Sequence, residues 1–221
     1  MPFLNRNEAG QRLAEALERY RSDDVVVLAL PRGGVPVAAE VANRLSAPLD
    51  LLLVRKIGLP QQPELAMGAI IDGPEPLVVR NEEVIRLARV SEDQFHEIEE
   101  RELAEIERRR DRYTNGLAPN PVEGRVAIVI DDGIATGSTI RAAIGGLRRR
   151  NPAKIVVAVP VAPPDTVASL EREADEVVCL EQPSHFAAIG QFYHDFRQVE
   201  DEEVIRHLAQ AVQAPAEKKA R

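Results

Sequence analysis

The sequence predicts an α/β protein built on a mostly parallel, doubly wound sheet flanked by helices. Apolar runs of strand length recur at 25–30, 49–54, 126–130, 155–161 and 177–180. They are continuous rather than alternating, as expected of strands covered on both faces. In the second half each strand gives way to a helical period, over 137–150 and again over 164–173. That alternation is the pattern of βαβ units.

The elements follow in order. Leu13, Leu17 and Tyr20 recur at helical spacing, and Asn5 or Asn7 stands where an N-cap belongs. Ser22-Asp23-Asp24 and Pro31 bound the first strand; Gly33-Gly34 lead into a helix over 35–45. The run 49–54 reads as one second strand, with two short strands at 67–71 and 77–79. Residues 81–113 are dense in charge and carry only a thin apolar stripe: Phe95, Ile98, Leu103, Ile106 and Tyr113. Glu97/Arg101 and Glu105/Arg109 are spaced i, i+4 in the favourable orientation. This segment reads as an inserted helical arm over 81–116, packed on a partner subunit or over the active site. An aromatic stretch over 184–199 forms a small C-terminal hood. A helix over 202–212 and a flexible tail over 213–221 follow. A single domain is expected over 1–212.

Composition removes several function classes. The chain has 221 residues, 44% hydrophobic and 29% charged, enough to bury a core. With aromatics at 4% and no Trp, that core must be Val, Ile, Leu and Ala. A net charge of −8 argues against binding nucleic acid through its phosphates. The lone Cys179, in an apolar strand, can form no intrachain disulfide and reads as inert core. It points to a reducing, cytoplasmic setting. The MPFLNRNEAG start lacks a leader pattern, and no apolar run approaches the ~20 residues of a membrane span. No membrane association is expected.

The most informative segment is VAIVIDDGIATGSTI, residues 126–140. A buried strand ends in Asp131 and Asp132, and a Gly/Thr/Ser loop opens directly into a helix. Ligands of open α/β sheets bind beyond the carboxyl ends of the strands. The loop N–H groups and the helix N-terminus favour an anion, and Thr136, Ser138 and Thr139 add hydroxyls. Two carboxylates suit a diol or a hydrated cation; the loop over 133–139 suits a phosphomonoester. A ribose 5-phosphate carries both groups. A Walker A loop would need a Lys before its Ser/Thr, and a dinucleotide fingerprint needs other glycine spacing. A loop with two solvated aspartates is the remaining alternative.

With these residues the chain resembles the type I phosphoribosyltransferases, whose motif for 5-phosphoribosyl-1-pyrophosphate (PRPP) is an apolar run, two acids and a Thr-Gly loop. Asp131-Asp132 and Thr136-Gly137-Ser138-Thr139 match it. The resemblance covers about residues 25–180 and implies a type I phosphoribosyltransferase-like fold. Leu30-Pro31-Arg32-Gly33-Gly34 looks like the pyrophosphate loop. Val54-Arg55-Lys56 followed by 57–66 looks like the basic residue and mobile loop that cover the site. More narrowly, LPRGG, VRK, Pro63-Glu64-Leu65 and the Tyr193–Phe196 element resemble a bacterial group of phosphoribosyltransferases whose acceptor is unassigned.

The resemblance implies a Mg²⁺-dependent enzyme that transfers the phosphoribosyl group of PRPP to a nucleobase or related small acceptor. Asp131 and Asp132 would hold the ribose hydroxyls and, through them, the metal. Gly133, Ala135, Thr136, Gly137, Ser138 and Thr139 would hold the 5-phosphate. Arg32 and Lys56, with Gly33 and Gly34, would hold the departing pyrophosphate. Phe186 and Tyr193 are the candidates for stacking on the base, and Glu64 is a candidate acid/base. Ala135 stands where 6-oxopurine enzymes carry an acid, which is closer to the adenine-type loop. A homodimer or larger homo-oligomer is expected, with small-molecule partners only. The alternatives are a PRPP- or nucleotide-sensing regulator on the same fold, or an enzyme using water, phosphate or a sugar phosphate. Arg32, Lys56 and a closing loop favour the transferase, because a sensor needs no lid.

Overall fold

The computed structural model describes residues 2–73 and 75–211; the expected tail over 213–221, and Val212 before it, lie outside the described residues. The elements run α1 (Arg6–Ala16), β1 (Val25–Ala29), α2 (Gly34–Leu45), β2 (Leu49–Leu51), β3 (Val54–Leu59), β4 (Gln62–Ile71), β5 (Leu77–Arg80), α3 (Glu82–Ala88), α4 (Glu92–Thr114), β6 (Val126–Ile130), α5 (Ser138–Arg148), β7 (Lys154–Val161), α6 (Pro164–Leu170), β8 (Glu176–Glu181) and α7 (Asp201–Ala211). Five strands form a parallel sheet in the order β2-β1-β6-β7-β8. β3, β4 and β5 form a separate antiparallel sheet.

The apolar runs are continuous because successive residues serve opposite faces. Val25, Val27 and Ala29 pack with Ile128 and Ile130 under α1, α2 and α7. Val26 and Leu28 pack with Ala127, Val129 and Val157 under α5 and α6. Each such Val, Leu or Ile contributes about 1.5–3 kcal/mol on burial. The sheet is therefore secured by both helical layers at once.

Two sequence expectations are corrected. The run 49–54 is not one strand: Leu49–Leu51 pairs with β1, and Val54 begins the antiparallel sheet. Between them the Leu53 N–H donates to the Asp72 carboxylate, which turns the chain out of the parallel sheet. The segment 57–66, expected as a mobile loop, is a β-hairpin in which Leu59 faces Gln62 across the Pro60-Gln61 turn. Its ladder is irregular at Gly58, and Ile57 and Met67 are fully buried in it.

The arm is present as α3 and α4, and its stripe has an occupant within the chain. Phe95, Ile98 and Ile106 of α4 pack on Leu53, Ile57, Leu59, Met67 and Ile70. The hairpin thus takes the place of the partner subunit that the thin stripe suggested. Ser91 caps α4 with Gln94 in a reciprocal capping box.

A buried ionic cluster fastens this unit to the main sheet. Arg110 of α4 donates from Nε to Asp72 (2.7 Å) and from Nη1 to Asp50 of β2 (3.2 Å). Its Nη2 donates to the Leu51 carbonyl at 3.0 Å. The Asp72 side chain is 2% exposed, and burial raises its pKa despite Arg110. Arg110→Ala should cost about 3–5 kcal/mol, because it leaves a buried carboxylate unpaired. A raised carboxylate pKa opposes folding as pH rises through the window between the unfolded and folded values. The deficit should therefore shrink on acidification; urea midpoints of both proteins at pH 7.5 and 5 would check this.

Candidate active site

Strand order places the site. From β1 the chain moves outward to β2, while β6 lies on the other side of β1 and leads to β7 and β8. The order reverses between β1 and β6, and ligands of open α/β sheets bind at such a point. Residues 30–34 leave β1 there, and residues 131–137 leave β6 beside them.

The two loops touch. A Cβ on Gly33 would overlap the Asp132 carboxylate, and one on Gly34 would stand 2.6 Å from the Ile130 carbonyl oxygen. Both glycines are needed for this approach, and the nearest anion to Gly33 is the protein's own. The Pro31–Arg32 peptide is cis. Arg32 is oriented by Asp201, the first residue of α7, at 3.4 Å. Asp201 also accepts from the Tyr113 hydroxyl at 2.7 Å and pairs with Arg112 at 2.8 Å. The Tyr113 hydrogen bond, then the charges of Arg112 and Arg32, hold Asp201 below the usual carboxylate range.

The two aspartates are not equivalent. Asp132 is buried, and its Oδ2 accepts from Arg6 Nε at 2.8 Å. Asp131 is half-buried, has no ion-pair partner among the described residues, and accepts the Asp132 N–H at 2.9 Å. Burial first, then the neighbouring Asp132 charge, raises Asp131 well above the ordinary carboxylate pKa. Asp132 is raised by burial, and Arg6 opposes the rise.

The following loop is built to present N–H groups. Ile134 N–H donates to Val161 O and Arg141 N–H to Gly137 O, but the N–H groups of Ala135, Thr136 and Gly137 have no acceptor among the described residues. Gly137 sits at φ +76 as the N-cap of α5, a conformation few side chains tolerate. The loop is clamped from behind: Arg141 Nη1 donates to the Thr136 carbonyl at 2.7 Å, and the Thr166 hydroxyl donates to the Ala135 carbonyl at 2.9 Å. Carbonyls held away leave N–H groups and the helix N-terminus to face an anion. The Thr136 and Ser138 hydroxyls are 3.4 Å apart at its mouth.

Lys56, Glu64 and Thr139 line one cleft of about 440 Å³ between the hairpin, α4 and the head of α5. Lys56 is exposed, and its ammonium makes no hydrogen bond among the described residues. Phe186 and Tyr193 part company. Phe186 is half-buried and stacks on Phe192, with ring centroids 5.3 Å apart. Tyr193 is a correction: it is buried in the core, its ring against Phe3 and Phe196. Its hydroxyl donates to the Asp132 carbonyl at 2.6 Å. Burial and the Asp132 charge push that phenol above its ordinary pKa, so it stays a donor. Tyr193 therefore positions the acidic pair and has no face left for a base. Cys179, expected in the core, is half-buried on the edge strand β8, packed against the core beneath α5 and α6, and burial pushes its thiol up to about 11.

Sequence reasoning missed four contributors. Arg6 lies 126 residues from Asp132 and reads as an ordinary first-turn residue. Asp201 reads as the start of a surface helix. Arg101 and Glu102 line the cleft with Lys56 but lie in the charge-dense arm, where nothing in the sequence sets them apart.

Comparison with known proteins agrees with this geometry. The family model described as the phosphoribosyl transferase domain matches residues 4–197. The chain belongs to that family. It is 47% identical over 209 residues to two Mycobacterium tuberculosis proteins, named "Putative phosphoribosyl transferase" Rv0571c and MT0597. That match covers 95% of this chain and 47% of each relative, so the chain spans about half the length of the curated relatives it matches. The crystal structure of TT1426 from Thermus thermophilus is 40% identical and superposes with a TM-score of 0.82, covering 95% of this chain and 99% of that one. No helix among the described residues is long and apolar enough to cross a membrane.

The unequal aspartates set a measurable cost. Asp131→Asn keeps the acceptor for the Asp132 N–H and removes the half-buried charge. It should raise the melting temperature of the ligand-free protein at pH 7.5, at about 2–4 °C per kcal/mol for this length. The gain should fade at pH 5, where wild-type Asp131 is itself more protonated. Scanning calorimetry at both pH values would check this.

Proposed function

We propose that this domain catalyses Mg²⁺-dependent transfer of the 5-phosphoribosyl group from PRPP to a nucleobase or related small acceptor, releasing pyrophosphate. One observation carries the reading: at the point where strand order reverses, a carboxylate without an ion-pair partner among the described residues, Asp131, stands beside a loop whose N–H groups have no acceptor among them. One small molecule with a diol next to a phosphomonoester satisfies both.

The roles follow from the placement. The loop over 133–139 takes the 5-phosphate, with Thr136, Ser138 and Thr139 as hydroxyl donors. Asp131 accepts from a ribose hydroxyl, and Asp132, held by Arg6, fixes the direction from which it does so. Arg32 and Lys56 face the pyrophosphate. The residues fit a Mg²⁺ that arrives with its phosphate ligands: Asp131 lacks a cation, and no group of three or more His, Cys, Asp or Glu suited to a metal exists among the described residues. When bound, such an ion neutralises charge on the departing pyrophosphate. The protein's own share is positioning and electrostatics, fixed before the reaction begins. Of the aromatic hood, Phe186 is the remaining candidate to meet a base.

Pyrophosphate release from Mg-PRPP, measured with a pooled nucleobase panel and without it, tests the reading. Release that requires the pool supports it, and splitting the pool names the acceptor. Release without a base indicates water as acceptor. Binding without release moves the assignment to a sensor. The double change Asp131→Asn/Asp132→Asn should reduce Mg-PRPP affinity by at least about a hundredfold at unchanged circular dichroism, since charge-assisted contacts are worth about 1.5–3 kcal/mol each. Unchanged affinity in titration calorimetry would sink the site.

A further inference from the structure

The cleft that holds Lys56 and Thr139 has a second wall, built by the arm. Glu102 of α4 is 8% exposed, and two guanidiniums converge on it. Arg55 donates to its Oε2 from Nε at 2.7 Å and also from Nη2. Arg101 donates to its Oε1 from Nε at 3.3 Å and from Nη2 at 3.2 Å. Each guanidinium is gripped through the same two nitrogens, which leaves both Nη1 groups without a partner among the described residues. Lys56, next to Arg55 on β3, is also unpaired. Arg55, Lys56, Arg101 and Glu102 all line this one cleft.

A buried carboxylate whose oxygens are each committed to one arginine does not act as a free negative charge. It holds two planar forks in fixed orientations, as a recognition site for an oxyanion requires. The opposing charge is Glu64, exposed on the hairpin in the same cleft. Three cations against one uncommitted carboxylate leave the cleft positive in a chain whose net charge is −8. A buried ion pair often does no more for stability than apolar side chains of the same volume would, so anchoring the arm does not account for this concentration of arginine donors.

We propose that Arg55, Lys56 and Arg101, aligned by Glu102, form an anion subsite for a phosphate- or carboxylate-bearing small molecule. This deepens the transferase reading and rests on it. Either the arm takes part in holding the pyrophosphate of the donor, or the acceptor carries an acidic group of its own.

The test reads binding, not turnover. Inorganic pyrophosphate is titrated into wild type and Arg101→Ala, and PRPP into the same pair. Arg101 is 69% exposed, so its truncation does not threaten the fold. The expected result is a loss of about tenfold in pyrophosphate affinity. A matching loss for PRPP assigns the subsite to the donor. Unchanged PRPP affinity assigns it to an anionic acceptor. Pyrophosphate affinity within about twofold of wild type overturns the subsite. Glu102→Gln should also weaken pyrophosphate, although it removes a negative charge; tighter binding would overturn the aligning role of Glu102. A protein that releases no pyrophosphate from PRPP yet loses affinity in Arg101→Ala would refute the transferase reading and leave the subsite standing.

Discussion

The rest of the site depends on the ion pair between Arg6 and Asp132. Asp132 is buried next to a second carboxylate, an arrangement that desolvation and like-charge repulsion both oppose. Arg6 makes it tolerable. Its Nε meets Asp132, its Nη1 donates to the Arg197 carbonyl at 2.8 Å, and its guanidinium lies 4.0 Å from the centre of the Phe196 ring. One side chain on α1 thus joins the acidic pair to the hood. Tyr193 completes the junction from the hood side through the Asp132 carbonyl. Asp131 is left as the less constrained acid, and that asymmetry gives the site a direction.

The second constraint is mechanical. The β3–β4 hairpin carries Lys56 and Glu64, and it would be a poorly supported pair of strands by itself. Helix α4 covers its apolar face with Phe95, Ile98 and Ile106, and Arg110 ties the helix to β2 and to the end of β4. The hairpin, arm and parallel sheet are therefore fastened to one another through buried groups. The placement of Lys56 relative to Thr139 follows from that fastening more than from contacts made by Lys56 itself.

Much of this was legible in the sequence where one short segment carries the whole signal. The strands of the parallel sheet announce themselves because burial on both faces demands unbroken apolar runs. Asp131, Asp132 and the loop after them are legible because strand, acids, glycine and hydroxyls are contiguous. The hairpin was not, because Gly58, Pro60, Gln61, Gln62 and Pro63 carry the composition of a loop; its strand character comes from Ile57 and Met67 finding α4. Arg6 was not legible for a related reason: nothing near it in sequence indicates a partner on the loop after β6. Tyr193 misled because an aromatic in an irregular stretch looks available, whereas two partners distant in sequence, Phe3 and the Asp132 carbonyl, enclose it together with Phe196.

Asp201 has a consequence for how the molecule responds to an anion. It is shared by Arg32 from the loop after β1 and by Tyr113 and Arg112 from the far end of α4. The contact to Arg32 is the longest of the three. An anion arriving at the loop competes only for that one, and Asp201 keeps its hold on α4 when Arg32 swings away. On the transferase reading the head of α7 is a detent: it holds the arginine in the absence of an anion and can let it go without unlocking the helix behind.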